Sequence, residues 1–110
     1  MLNDCELRPL AMFINLGERE TFEQSSGSQI VALVGNLRLV AAAAYDVFFA
    51  LGDVPKATSI IQRGVELYGL QTVVEASLNQ AIFRVQWDGQ DPQAEKPFLE
   101  FVGSVLFPDQ

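Results

Sequence analysis

Apolar residues recur at helical spacing along most of the chain. Val54, Ala57, Ile60, Ile61, Gly64, Val65 and Tyr68 fall on one face of a helix predicted from Pro55 to Tyr68, and Lys56, Ser59, Gln62, Arg63 and Glu66 fall on the other. Asp53 is placed to cap its start, and Pro55 sits in the first turn, where a missing N–H does no harm. Gly69 suits the left-handed conformation that ends a helix. A second helix is predicted from Thr72, where Thr72-x-x-Glu75 reads as a capping box, and it ends near Trp87-Asp88-Gly89. Its buried stripe is Val74, Leu78, Ala81, Ile82 and Val85. The run Ile82 to Trp87 is β-branched and aromatic enough to leave an edge strand open as the alternative.

Beyond Gly89, Asp91-Pro92 repeats the cap-then-proline start, and Ala94, Phe98, Phe101, Val102 and Val105 carry an apolar face toward Phe107. Pro97 interrupts that face and predicts a kink or a restart. Upstream, Leu37 to Leu51 reads as a helix whose alanines, Ala41 to Ala44, let a neighbour approach closely. The short turn Leu51-Gly52-Asp53 makes it an antiparallel partner of the helix that follows. Residues 18–36 leave a choice between helix and loop. If Ser25-Ser26-Gly27-Ser28 is a loop, one long helix runs from about Ile30 to Leu51.

Short phrases repeat at a matching scale. Phe13-Ile14-Asn15-Leu16-Gly17-Glu18 returns 35 residues later as Phe48-Phe49-Ala50-Leu51-Gly52-Asp53, and Gly52-x-x-Pro55-x-Ala57 returns 37 residues later as Gly89-x-x-Pro92-x-Ala94. Such a period belongs to helical hairpins that bury their apolar faces on one another. The expected fold is therefore all-α, either stacked antiparallel hairpins or a small helical bundle, in a single domain over 1–110. A mixed α+β fold is the alternative.

The stretch 40–69, with Ala44, Phe48, Leu51-Gly52-Asp53, Ala57, Ile61, Gly64 and Glu66-Leu67, resembles a tetratricopeptide repeat. A second, degraded copy over 76–107 is carried by Leu78, Ala81, Ile82, Val85, Gly89, Ala94, Phe98 and Phe101. A third, over 6–29, departs furthest, with Glu6 and Pro9 where apolar helix residues belong. Gly64 and Phe101 stand where the family favours alanine, and Gly69 replaces its closing proline. The resemblance implies a groove lined by the first helix of each hairpin, which holds a peptide segment of a partner. Carried over position by position, the groove residues are Leu39, Ala42, Asp46, Phe49 and Ala50, then Ala76, Asn79, Phe83 and Gln86. Asn79 and Gln86 would bond a peptide backbone, Phe49 and Phe83 would give apolar contact, and Asp46 would favour a basic residue.

Charge narrows the partners. The net charge is -7, with the acids concentrated toward the two ends around a neutral middle. Such a surface repels phosphate backbones and anionic lipid, which argues against nucleic-acid and membrane-surface binding. The apolar segment Ile30 to Leu51 contains Asn36, Arg38 and Asp46, and each charge would cost about 2.5–3.5 kcal/mol at the centre of a bilayer. It is read as protein interior, and the chain as soluble and cytoplasmic. Met1 to Glu6 lack the basic start and apolar run of a signal peptide. Cys5 is the only cysteine, so no internal disulfide forms, and Asp4 and Glu6 beside it disfavour the thiolate.

Catalytic chemistry has little to work with. The chain has no histidine and no cysteine cluster, and no glycine-rich phosphate loop follows a strand. Glu18, Glu20 and Glu23, or Asp88 and Asp91, lack the spacing of a calcium loop. No catalytic residue, metal site or cofactor is expected, and the chain is read as a non-enzyme. Phe98, Leu99, Phe101, Val102 and Leu106 cover too much of the last helix for one buried stripe, which places an interface at Phe98, Phe101 and Val105. The function expected is a small adaptor or chaperone that holds a peptide of another protein. A self-assembling homodimeric domain with a structural or regulatory role is one alternative. A small-molecule binder, with a closed pocket lined by Phe49, Phe83, Trp87 and a desolvated carboxylate, is the other.

Overall fold

The computed structural model describes Gly17 and residues 19–108. Among them the chain forms α1 (Arg19–Gln24), α2 (Gly27–Val34), α3 (Leu37–Asp46), a π-helical turn (Val47–Leu51), α4 (Val54–Tyr68), α5 (Leu70–Asp88) and α6 (Pro92–Leu106). No strand occurs among the described residues, and the fold is all-α. Residues 82–87 lie inside α5, so the edge-strand alternative falls.

Local chemistry explains the boundaries. Ser26 is the N-cap of α2: its Oγ accepts from Gln29 N at 3.1 Å while Gln29 Oε1 accepts from Ser26 N at 2.8 Å. The serine-rich segment is thus a helix start, because the hydroxyl and amide together satisfy two end N–H groups. The long helix expected from Ile30 to Leu51 is broken at Gly35, whose φ of 77° is left-handed, and Asn36 caps α3 by accepting from Leu39 N at 3.1 Å. No described helix is long and apolar enough to cross a membrane.

Asp53 starts α4 as expected, accepting from Lys56 N at 3.0 Å. Gly69 ends it differently from expectation. Its φ and ψ of 96° and 155° lie in an extended, positive-φ region open to glycine almost alone. The chain turns there in a single residue, so α5 begins at Leu70 and Thr72-x-x-Glu75 lies within its first turns instead of capping it. Asp91 caps α6 by accepting from Gln93 N at 2.9 Å, and the helix continues through Pro97 to Leu106. Pro97 leaves the Gln93 carbonyl without its helical donor. Both residues are exposed, so water can serve that carbonyl.

The main packings join helices that are adjacent or next but one in the chain: α2 with α3 and α4, α3 with α4 and α5, α4 with α5 and α6, and α5 with α6. Gly27 shows how close α2 comes to α4, since a Cβ built there would lie 2.5 Å from Ser59 Cβ. α3 is enclosed on all sides, with Val40 to Val47 buried without a break, as suits a helix that is apolar around most of its circumference. Ile30, Val40, Ala44, Val47, Ile60, Ile61, Val73, Phe98 and Val102 form one continuous core. Burying one such Val, Ile or Phe side chain is worth about 1.5–3 kcal/mol. Lys56 fastens α1 to this body by donating from Nζ to the carbonyls of Phe22 and Glu23, each at 2.8 Å. Those carbonyls close α1, where a cation is favoured.

Candidate functional site

α5 is turned with an unexpected face inward. Its buried residues are Val73, Ser77, Gln80, Ala81 and Arg84, while Leu78 and Ile82 from the predicted stripe are 44% and 50% exposed. The buried set follows the steps i, i+4, i+7, i+8 and i+11, which is regular helical spacing centred about 100° from the predicted stripe. α5 therefore carries three polar side chains into the protein and an apolar row on its outer side. Neighbouring helices supply the rest of a polar interior. Tyr45 and Asp46 come from the end of α3, and Glu95 comes from the first turn of α6; all three are buried.

The centre of this interior is Tyr45. Its hydroxyl donates to Glu95 Oε1 at 2.5 Å, and the Arg84 guanidinium lies over its ring, 5.5 Å from the centroid. A desolvated cation over an aromatic face is stabilised by about 2 kcal/mol. Phe49 and Phe98 flank the same ring at 4.7 and 4.8 Å, and Phe48 stacks on Phe101 at 4.7 Å. The π-helical turn makes this possible by carrying Phe48 and Phe49 out of the α3 register toward α6. Ser77 Oγ, Gln80 Nε2 and Glu95 Oε2 have no hydrogen-bond partner among the described residues. A buried polar atom left in that condition costs about 1–3 kcal/mol. These atoms are closed off from solvent, so the cluster is a polar interior and not an open ligand pocket.

The expected groove residues are thereby separated. Asn79, Phe83 and Gln86 share the outer face of α5 and are exposed. Phe49 is 38% exposed and keeps its ring contacts with Tyr45, Phe48 and Phe98. Leu39, Ala50 and Ala76 are half-buried, whereas Ala42 and Asp46 are buried. Asp46 cannot meet a basic residue of a peptide from that position, because α3 is enclosed by its neighbours. The interface expected on the last helix is also corrected. Phe98 is fully buried and Phe101 is 8% exposed, both within this chain's own core, and Val105 is half-buried. The five apolar residues that exceeded one stripe are accommodated because α6 is packed from two sides, by α4 and α5.

Phe49 and Phe83 are open to solvent at 38% and 37%, so they do not enclose the small-molecule pocket they were expected to line. The side chains of Trp87 and Asp88, together with Cys5 and residues 6–16 and 18 of the 6–29 segment, lie outside the described residues. A shallow open groove of about 670 Å³ runs past Glu100, Gly103, Ser104 and Phe107 on α6. Among the described residues, no group of three or more His, Cys, Asp or Glu side chains is placed to hold a metal ion.

Sequence reasoning missed Tyr45, Ser77, Gln80, Arg84 and Glu95. A signal was present for three of them, since Ser77, Gln80 and Arg84 share one helical face with Val73 and Ala81. No family model matches the chain, and no curated protein or solved structure matches it.

Proposed function

We propose that this chain is a non-enzymatic protein-binding domain of the cytoplasm, and that its contact face is the outer side of α5. One observation carries this reading: α5 directs Ser77, Gln80 and Arg84 inward and leaves Leu78 and Ile82 about half exposed. Turning polar groups in and branched aliphatic residues out works against stability in an isolated chain. It is favourable when the outer face is covered by another protein surface. Asn79 and Gln86 on the same face offer amide donors and acceptors at the rim of such a contact.

The resemblance to tetratricopeptide repeats supports the same assignment at a coarser level. Helices that pack on adjacent and next-but-one neighbours form a stack, and α5 is the first helix of its hairpin, the position that such repeats turn toward a bound segment. The cytoplasmic placement rests on the lone cysteine and the absence of a long apolar helix among the described residues.

The test is site-specific photo-crosslinking in cells. A photoreactive residue at Ile82 is expected to give a discrete protein adduct, and one at Gln62 on the outer face of α4 is expected to give none. No adduct at Ile82, or equal adducts at both positions, would overturn the reading.

A further inference from the structure

Building on the proposed contact face, we infer that its occupant is a second copy of this chain, docked antiparallel across a two-fold axis beside the Leu78–Ile82 turn of α5. The first ground is charge. Two copies that each carry -7 repel one another wherever their acids meet. α4 turns the Arg63–Glu66 ion pair outward, and α6 turns out Lys96 and Glu100. The described side chains on the outer face of α5 include Gln71, Glu75, Leu78, Asn79, Ile82, Phe83 and Gln86, and among these Glu75 alone is ionisable. Among the three long helices it is the face that two acidic chains can bring together at the lowest electrostatic cost. A basic partner protein would find one carboxylate there, already accepting a hydrogen bond from Gln71 Nε2 at 3.3 Å.

The second ground is self-complementarity. Under a two-fold axis, residue i meets residue j and j meets i. An axis midway between Leu78 and Ile82 sets Leu78 of each copy against Ile82 of the other. The same register brings Gln86 of one copy beside Glu75 of the other, where its amide can donate to the carboxylate. The two Glu75 side chains then stand about 15 Å apart along the helices, beyond the screening length of about 8 Å at physiological ionic strength. Leu78, Ile82, Glu75 and Gln86 thus each find an apolar or hydrogen-bonding counterpart in a copy of the same face.

The size of the face sets the strength of the pairing. α5 has 19 residues, so its outer side is about 28 Å long and roughly 10 Å wide. That is well below the roughly 800 Å² per partner of a stable specific interface. The dimer is therefore weak and concentration-dependent, with folded monomers at low concentration.

Sedimentation equilibrium of the full chain over a wide concentration range tests the proposal. The wild type is expected to follow a monomer–dimer equilibrium. Ile82→Asp and Leu78→Lys, each with unchanged helical circular dichroism, are expected to weaken dimerisation about tenfold or more. Mixing the two variants should restore pairing, because the register sets the new Lys against the new Asp. Leu33→Asp, on the outer side of α2, should leave the dimer intact. A wild type that is monomeric throughout would overturn the second copy as occupant, and a crosslink from Ile82 to a different protein would then keep the contact face itself. A dimer insensitive to both α5 variants would overturn this interface. Failure of the mixture to pair would overturn the antiparallel register.

Discussion

Tyr45 does two jobs with one side chain: its hydroxyl holds the buried carboxylate of Glu95, and its ring face lies beneath Arg84. Tyr45→Phe keeps the ring and removes the donor, leaving Glu95 with both oxygens short of partners among the described residues. The expected loss is about 1–3 kcal/mol in urea-induced unfolding; unchanged stability would show that the hydroxyl is not the group that satisfies Glu95. This pair was not legible in the sequence, because its members are 50 positions apart and nothing local marks a tyrosine or a glutamate as buried. The caps at Asp53 and Asp91 were legible, since each accepts from an N–H no more than three residues away. Gly69 was half legible. The sequence pointed to a helix end that only glycine tolerates, but the ψ that sends α5 off at its particular angle follows from how α5 packs.

At the scale of elements, α5 separates what periodicity can and cannot decide. A helix from Thr72 to near Gly89 was readable, yet two of its faces are arguable: the predicted Val74, Leu78, Ala81, Ile82 and Val85 on one, Val73 and Ala81 with three polar residues on the other. Helical spacing finds a stripe without saying which stripe goes in. Starting α5 directly after Gly69 turns the second face toward α3 and α6, where Tyr45 and Glu95 wait with polar atoms of their own. A consequence follows for Ser77, whose Oγ is buried without a partner among the described residues. Ser77→Ala removes an unsatisfied hydroxyl at little cost in volume and improves helix propensity. It is expected to raise stability by about 1 kcal/mol, seen as a higher melting temperature. A loss of similar size would mean that the hydroxyl has a partner. Elsewhere α4 followed the pattern closely, because Ala57, Ile60, Ile61 and Gly64 give it one unambiguous buried face.

For the whole molecule, the all-α class was readable from helical spacing, while the location of the surplus apolar surface was not. It was expected on α6, where Phe98 and Phe101 prove to be core because α4 and α5 both pack on that helix. On α5 it is Leu78 and Ile82 that stand about half exposed, and the proposed contact face rests on that difference. If two chains of charge -7 meet there, added salt screens their mutual repulsion and should tighten the dimer in sedimentation equilibrium; a dimer that dissociates with salt would point to ion pairs across the contact. The proposed contact face depends on the orientation of α5. The most direct test is the unfolding free energy of Ile82→Gln, measured in urea at a concentration where the chain is monomeric. With Ile82 half exposed, the expected change is within about 0.5 kcal/mol of wild type. A loss of about 2–5 kcal/mol, the size seen when a buried aliphatic side chain is removed from a core, would place Ile82 inside and contradict the orientation on which the contact face rests.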